Sequence, residues 1–177
     1  KVVRVLPHSA DGLDTTAGRA RVLRWRSWRD QLGGIKTIAI SPDGKRVAVG
    51  GYGLKISTVA VLDRATGDTL AITWPRAPEG KTHFDAVMAV AFHPDGKRVG
   101  FGTADGTLWL WEPAKLAKPE GDRVWNAPVR AGRFAKGEGE FNFPRGIHFP
   151  TADTMLAVSQ RGQVLACDLR GPLTDDP

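Results

Sequence analysis

The stretch AISPDGKRVAVGG, residues 39–51, recurs as AFHPDGKRVGFGT at residues 91–103. In each copy, two runs of alternating apolar and smaller residues flank the tetrapeptide Pro-Asp-Gly-Lys, and this alternation is typical of β-strands. Proline fixes φ early in a turn, aspartate bonds its own following backbone, and glycine accepts a positive φ. Residues 42–45 and 94–97 are therefore predicted to be hairpin turns, so the chain encodes the same β-hairpin twice.

Further strand candidates follow each hairpin. STVAVLD at 57–63 and TLWLWE at 107–112 come first, and DTLAITW at 68–74 and RVWNAPV at 123–129 are weaker candidates for a fourth strand. A degraded third copy begins at Ile147 and Phe149; its TMLAVS, 154–159, aligns with KRVGFG, 97–102, and its QVLACD, 163–168, with TLWLWE. Four short antiparallel strands that recur along a chain are typical of β-propeller blades.

The middle copy, HFDAVMAVAFHPDGKRVGFGTADGTLWLWE at 83–112, resembles the repeat of the WD-repeat β-propellers. The copies are rich in Ala, Gly and Arg, and in this composition they look like the bacterial versions of that family. The resemblance implies a hydrogen-bonded structural tetrad that would consist of His83, Thr103, Asp105 and Trp111. The flanking copies depart from the pattern, with Leu62 and Cys167 at the tryptophan position, so only the middle copy holds a complete set.

The expected fold is all-β, with propeller blades of four antiparallel strands, about three and a half blades in this chain, and a ring that it does not complete. Residues 1–34 would supply the third and fourth strands of a partial blade, 35–83 a first blade, 84–141 the best WD-repeat copy, and 142–177 a degenerate blade with a C-terminal tail. A β-sandwich or another meander is the alternative. The ring could belong to a longer propeller, be shared between chains, or close with four blades.

Composition restricts the class of protein. With 41% hydrophobic and 25% charged residues among 177, the chain can bury a core. No apolar run approaches the roughly 18 residues of a membrane-spanning helix, and the first residues show no secretory signal, so a cytoplasmic location is expected. The single cysteine, Cys167, cannot form an intramolecular disulfide and is expected to be a buried, inert thiol.

The residues that usually carry chemistry are not grouped. The histidines at 8, 83, 93 and 148 lack the spacing that directs two side chains at one metal ion. No serine lies in a nucleophile-elbow motif, and the aspartates fall in turns or at strand ends. The sequence therefore predicts no catalysis, no cofactor and no metal, with an enzyme site in a central channel kept as an alternative.

Extra residues point instead to one rim of the blades. The copies exceed a minimal blade at 51–57, 74–85 and 130–145, and in a propeller these segments would emerge at the rim that carries blade-to-blade connections. Aromatic residues beside arginine are typical of protein interfaces, although each aromatic could equally pack on its own blade. The predicted contacts for a protein or peptide partner are Tyr52, Lys55, Trp74, Arg76, Phe134, Phe143, Arg145 and Arg161.

The net charge of +6 lies mostly in the first 36 residues, which hold eight Lys or Arg and three Asp. RARVLRWRSWR, residues 19–29, could bind nucleic acid through phosphate contacts and base stacking, with Arg24, Trp25, Arg26, Trp28 and Arg29 as its candidates. An edge strand protected by arginine explains the same composition and is favoured. The expected partners are a protein or peptide, and further blades from the same polypeptide or from a second copy; no membrane contact is expected.

Overall fold

The computed structural model describes residues 34–51, 58–73, 86–113, 128–135, 142–171 and 173. Within these ranges the chain forms strands and turns and no helix. The eleven strands are β1 (Ile35–Ile40), β2 (Arg46–Gly51), β3 (Thr58–Asp63), β4 (Thr69–Thr73), β5 (Val87–Phe92), β6 (Val99–Thr103), β7 (Thr107–Trp111), β8 (Val129–Arg133), β9 (Pro144–Thr151), β10 (Thr154–Ser159) and β11 (Val164–Asp168).

The strands form three antiparallel sheets in chain order. The first sheet has the order β1-β2-β3-β4 and the second β5-β6-β7-β8, so each strand pairs with its sequence neighbours. In the third sheet the described strands have the order β9-β10-β11. The expected fold class, all-β with four-stranded antiparallel blades, is confirmed, whereas the partial blade expected in residues 1–34 lies outside the described residues.

Most strand predictions are confirmed, and one was wrong. The fourth strand of the second sheet is Val129–Arg133 and not the predicted 123–129, so part of the segment expected to be an insertion is a strand. Its sequence, VRAGR, lacks strong apolar alternation. Gly132 leaves room for the third sheet, because a Cβ there would lie 2.8 Å from Cys167 Sγ.

The repeated tetrapeptide forms the hairpin turns as predicted. Gly44 and Gly96 have φ values of 69° and 68°, a region that only glycine adopts at low cost. In both turns an aspartate carboxylate accepts the backbone N–H two residues later, from Lys45 at 3.0 Å in the first and from Lys97 at 2.7 Å in the second. The turns thus satisfy their own polar groups.

The sheets stack face to face, with their first strands side by side. β1 contacts β5, and β5 contacts β9. One core lies between the first and second sheets, and a second core lies between the second and third. The first core contains Ala48, Val59, Val61, Ala71, Val87, Val90, Phe92, Val99, Phe101 and Trp111. The second contains Leu108, Leu110, Phe134, Phe149, Met155, Ala157 and Cys167.

Glycines on β2 and β6 let the sheets approach closely. A Cβ on Gly50 would lie 2.5 Å from Val87 Cγ1, and one on Gly100 would lie 2.6 Å from Phe149 Cζ and 2.9 Å from Met155 Sδ. Side chains of the next sheet therefore occupy the space that a larger residue would fill.

Hydrogen bonds also join the sheets at the rim formed by the β1–β2, β5–β6 and β9–β10 turns, which we name the hairpin rim. The guanidinium of Arg46 donates to the carbonyl of Gly96, from the first sheet to the second. The buried ring of His93 lies with Nε2 2.7 Å from the Ala152 carbonyl of the third sheet, so Nε2–H is the donor. The edge of the same ring meets Phe149, with centroids 5.0 Å apart.

Gly100→Ala should lower the free energy of unfolding by about 1–3 kcal/mol, because the new methyl group overpacks the second core against Phe149 and Met155. Gly146→Ala is the matched control, since no atom lies within 4 Å of its added Cβ. Denaturant unfolding measures both. Equal stabilities for the two variants would contradict the close approach of the second and third sheets.

His93→Ser should destabilise the protein by about 2 kcal/mol or more, because it removes the bond to Ala152 and leaves a cavity beside Phe149. Serine suits this turn, since Ser41 holds the same position in the first sheet and its hydroxyl accepts the N–H of Arg46 at 2.9 Å. His93→Gln should lose less stability than His93→Ser, because the glutamine amide nitrogen reaches nearly as far as the histidine Nε2. A His93→Ser protein as stable as the wild type would show that the bond between the sheets contributes nothing.

Candidate interaction rim

The opposite ends of the sheets carry the β6–β7 and β10–β11 turns and the connections between sheets, and we name this end the linker rim. Its described residues are 104–106, 134–135, 142–145 and 160–163. Backbone bonds hold these pieces together, with Phe134 N–H donating to the Gly106 carbonyl at 3.0 Å and Gln160 N–H to the Phe143 carbonyl at 2.9 Å. These described pieces of the rim are therefore bonded to one another across neighbouring turns and strands.

A side-chain cluster anchors the β6–β7 turn. The Thr103 hydroxyl donates to Asp105 Oδ1 at 2.6 Å, and the Thr107 hydroxyl donates to Asp105 Oδ2 at 2.7 Å. The indole N–H of Trp109 donates to Thr103 Oγ1 at 3.2 Å, and Trp109 stacks on Phe101 with centroids 6.4 Å apart. The carboxylate thus closes the turn, and an indole extends the network into the sheet.

This cluster brings together two residues of the expected tetrad, Thr103 and Asp105, whose side chains are hydrogen-bonded. The described indole that bonds Thr103 is that of Trp109, while Trp111 is buried in the first core, and the tetrad as a whole stays a prediction. All three of Thr107, Trp109 and Trp111 lie on one face of β7, and sequence spacing alone did not distinguish the two tryptophans. His83 lies outside the described residues, so its part in a tetrad stays a prediction.

The environment of Asp105 favours its charged form. Burial opposes ionisation, but the hydroxyls of Thr103 and Thr107, the backbone N–H of Thr107 and the nearby charge of Arg133 outweigh it, so the pKa of Asp105 lies below its ordinary value. Arg133 Nη2 is 3.4 Å from Asp105 Oδ2. The rim thus holds a fixed negative charge beside a partly exposed guanidinium.

Asn142 connects the second and third sheets at this rim. Its side chain is buried, and its Nδ2 donates to the Ala135 carbonyl at 3.2 Å and to Gln163 Oε1 at 2.7 Å. Among the residues that the structure describes, its Oδ1 is buried without a hydrogen-bond partner. The backbone beside Asn142 is equally constrained, because Gly106 has a φ of 89° and an added Cβ there would lie 2.8 Å from the Asn142 carbonyl.

Next to Asn142, the chain presents an aromatic–arginine pair. The Arg145 guanidinium lies over the Phe143 ring, 5.0 Å from its centroid, with Phe143 half-buried and Arg145 exposed. Arg161 is exposed in the β10–β11 turn of the same sheet. Three of the predicted partner contacts therefore lie at the linker rim of the third sheet.

Phe134 does not share this exposure. It is buried in the second core with Leu108, Phe149 and Met155, so it serves packing and we leave it out of the candidate surface. The remaining predicted contacts lie outside the described residues and stay predictions: Tyr52, Lys55, Trp74 and Arg76. The same holds for the nucleic-acid candidates Arg24, Trp25, Arg26, Trp28 and Arg29.

Metal-binding and nucleophilic side chains lie apart in the described residues. No group of three or more His, Cys, Asp or Glu there could hold a metal ion. Cys167 is buried as expected, and burial raises the pKa of its thiol, which disfavours the reactive thiolate. In the ranges that the structure describes, no helix is long and apolar enough to cross a membrane.

Comparisons with known proteins agree with this architecture. The family model described as WD domain, G-beta repeat matches residues 78–112. Protein HIR1 of Eremothecium gossypii is 34% identical over 86 residues, and Protein HIR1 of Yarrowia lipolytica is 33% identical over 93. Each match covers 44% of this chain, which spans only about a tenth of either relative, 10% and 9%.

The solved structure of the Dos1 propeller matches with a TM-score of 0.57 at 14% sequence identity, covering 79% of this chain and 32% of that chain. At this identity the match shows the fold alone. The described residues therefore have the fold of β-propeller blades that do not close a ring, and residues 78–112 are similar in sequence to a WD repeat. Because both sequence relatives come from eukaryotes, the expectation of a bacterial-type member is not supported.

Asp105→Asn should lower stability by about 1–2 kcal/mol at neutral pH, because the amide cannot accept the Thr107 hydroxyl and Arg133 loses its charge partner. A lowered folded-state pKa stabilises the protein above the unfolded-state value near 3.8, and this contribution is lost as the pH falls through the folded-state pKa. The two proteins should therefore converge in strong acid. Denaturant unfolding across pH, with the exposed Asp68→Asn as control, measures this, and a constant difference down to pH 2 would contradict it.

Proposed function

We propose that this chain is part of a non-catalytic interaction scaffold that binds a protein or peptide at its linker rim. The observation that carries the proposal is the Phe143–Arg145 pair, held 5.0 Å apart on an exposed edge beside the buried Asn142. A stacked guanidinium has lost part of its side-chain freedom before any partner binds, so less entropy is lost on binding. Arg and aromatic residues are also enriched among the residues that dominate binding energy.

The charge of this surface favours an acidic partner segment. Arg145 and Arg161 are both exposed at the rim of the third sheet, and a guanidinium binds a carboxylate through two parallel hydrogen bonds. Phe143 adds a half-buried apolar surface next to them. An extended peptide that carries an acidic residue beside an apolar one would match both features.

Similarity to WD-repeat sequences supports a scaffold without catalysis, and a cytoplasmic location stays a prediction. No described residue favours the nucleic-acid alternative, whose candidates lie at 19–29, or a channel enzyme. Since the chain spans about a tenth of its curated relatives, the partners of those proteins are not assigned to it.

Selection of a random peptide library on the whole chain tests the proposal. Peptides that bind should lose at least tenfold in affinity for Arg145→Ala/Arg161→Ala, which corresponds to about 1.4 kcal/mol. Lys45→Ala/Lys97→Ala removes the same charge from exposed positions at the hairpin rim and should bind as the wild type does.

Fluorescence anisotropy with the selected peptides provides the affinities. Failure to select any peptide on the folded chain would contradict the proposal. So would peptides that bind the linker-rim variant as well as the wild type, or that lose affinity only for the hairpin-rim variant.

A further inference from the structure

The first strand of each sheet carries a β-bulge, at which two of its residues lie opposite one residue of the second strand. In β5 the register shifts between Val87 and Ala89, so Met88 is the extra residue. The equivalent shifts in β1 and β9 make Lys36 and Arg145 the extra residues. We name Lys36, Met88 and Arg145 the bulge residues.

The three bulges lie at the linker-rim ends of their strands. The Ala104 N–H of the β6–β7 turn donates to the Ala86 carbonyl, just before β5, at 2.8 Å. The bond from Gln160 N–H to the Phe143 carbonyl places the start of β9 at the same rim. Because β1 contacts β5 and β5 contacts β9, equivalent positions of these strands are neighbours. The bulge residues therefore form one row that crosses the three sheets.

In the second sheet, the residues on either side of the bulge face opposite ways. Val87 faces the first sheet, where its Cγ1 lies 2.5 Å from the Cβ that Gly50 lacks. Ala89 lies on the other face, in alternation with Ala91, which packs against the second core. Met88 between them belongs to neither face, and β5 is the edge strand of its sheet. The bulge thus directs the Met88 side chain outward along the sheet edge.

The first and third sheets repeat this arrangement. After the bulge in β1, the Thr37 hydroxyl faces the second sheet, because it accepts the Val90 N–H at 3.2 Å. Before the bulge in β9, Pro144 lies against Gly102 of the second sheet. The bulge residues themselves are exposed in β1 and β9 and half-buried in β5. A partner at the linker rim can therefore reach all three.

The row places an apolar group between two cations. Lys36 and Arg145 form its ends, and the flexible thioether of Met88, which adapts to different apolar partners, lies between them. The Arg145 guanidinium lies over the Phe143 ring, 5.0 Å from its centroid. A guanidinium binds a carboxylate through two parallel hydrogen bonds, and an ammonium binds it as a compact charge. The row therefore complements two carboxylates on either side of an apolar side chain.

The stacking of the sheets sets the spacing of those partner groups. Sheets that pack face to face lie about 10 Å apart, so two sheet spacings separate Lys36 from Arg145 by roughly 20 Å. An extended chain advances about 3.3 Å per residue, and about six residues span this distance.

We propose that the bulge residues make the linker rim selective for an extended peptide segment with two acidic side chains about six residues apart and an apolar side chain midway between them. Lys36 and Arg145 each bind one carboxylate, and Met88 contacts the apolar side chain. The inference rests on the proposed binding of a peptide at this rim and adds the side-chain pattern that the rim recognises.

Fluorescence anisotropy of labelled synthetic peptides with the whole chain tests the pattern. In a background of Ser and Thr, one peptide carries two aspartates at the predicted spacing with a leucine midway. A second peptide has the same composition but places the two aspartates next to each other. The first should bind at least about tenfold more tightly, because only its carboxylates reach both ends of the row. Replacing its leucine by serine should weaken binding to the wild type and have no effect on binding to Met88→Ser.

A charge exchange identifies the contact at the first sheet. Lys36→Glu should lose at least about tenfold in affinity for the first peptide, and a peptide with Lys in place of one of the two aspartates should recover it. Lys45→Glu makes the same change of charge at an exposed position of the hairpin rim and should bind as the wild type does. Arg145→Glu provides the same exchange at the other end of the row. Circular dichroism establishes that each variant is folded.

The outcomes separate this inference from the proposed function. Equal affinity of the wild type for both aspartate spacings would overturn the selectivity of the row. So would library-selected peptides that require Arg145 and Arg161 but bind Lys36→Glu as tightly as the wild type, and in that case peptide binding at the linker rim would stand. If no peptide binds the folded chain, both proposals fail.

Discussion

The fold depends on how closely each sheet can approach the next, and Gly100 sets that distance between the second and third sheets. The ring of Phe149 and the sulfur of Met155 occupy the space beside it that a Cβ would fill. Gly50 does the same between the first and second sheets with Val87. Dispersion attraction falls steeply with separation. These small residues keep neighbouring sheets in contact along two continuous cores, whereas a single large side chain at either glycine would hold the sheets apart and leave gaps between them.

The hydrogen bonds at the two rims build on this close packing. At the hairpin rim, Arg46 and His93 each bond a carbonyl of the following sheet, which is possible only where the sheets lie within side-chain reach. At the linker rim, Asn142 joins β8 to the β10–β11 turn through Ala135 and Gln163. Polar bonds at the rims and apolar contacts between them hold the stack in one register, and the Arg145 guanidinium lies over the Phe143 ring at the edge of this stack.

The sequence predicted the hairpins, most strands and the fold class because these features are local. Alternating residues and Pro-Asp-Gly-Lys turns determine their structure within about a dozen residues. The predictions from sequence were wrong where contacts with a neighbouring sheet determine the structure. The prediction placed β8 too early in the chain, because the close contact of its Gly132 with Cys167 of the next sheet is not visible in the sequence. The prediction also aligned the third copy one residue off. The β9–β10 turn is shorter than the β5–β6 turn, so Met155 and not Leu156 is equivalent to Val99. Spacing alone also did not point to the bond between Trp109 and Thr103, because Trp109 and Trp111 lie on one face of β7.

The stacking of the second and third sheets can be observed most directly by nuclear magnetic resonance of the whole chain. A nuclear Overhauser effect between the ring protons of Phe149 and the Hα protons of Gly100 reports their contact across the interface. Close packing of the two sheets predicts strong cross-peaks between them. A well-folded protein that shows none, and in which the Phe149 ring instead contacts β2 or β3, would place the three sheets in a different arrangement, such as two facing sheets of a sandwich.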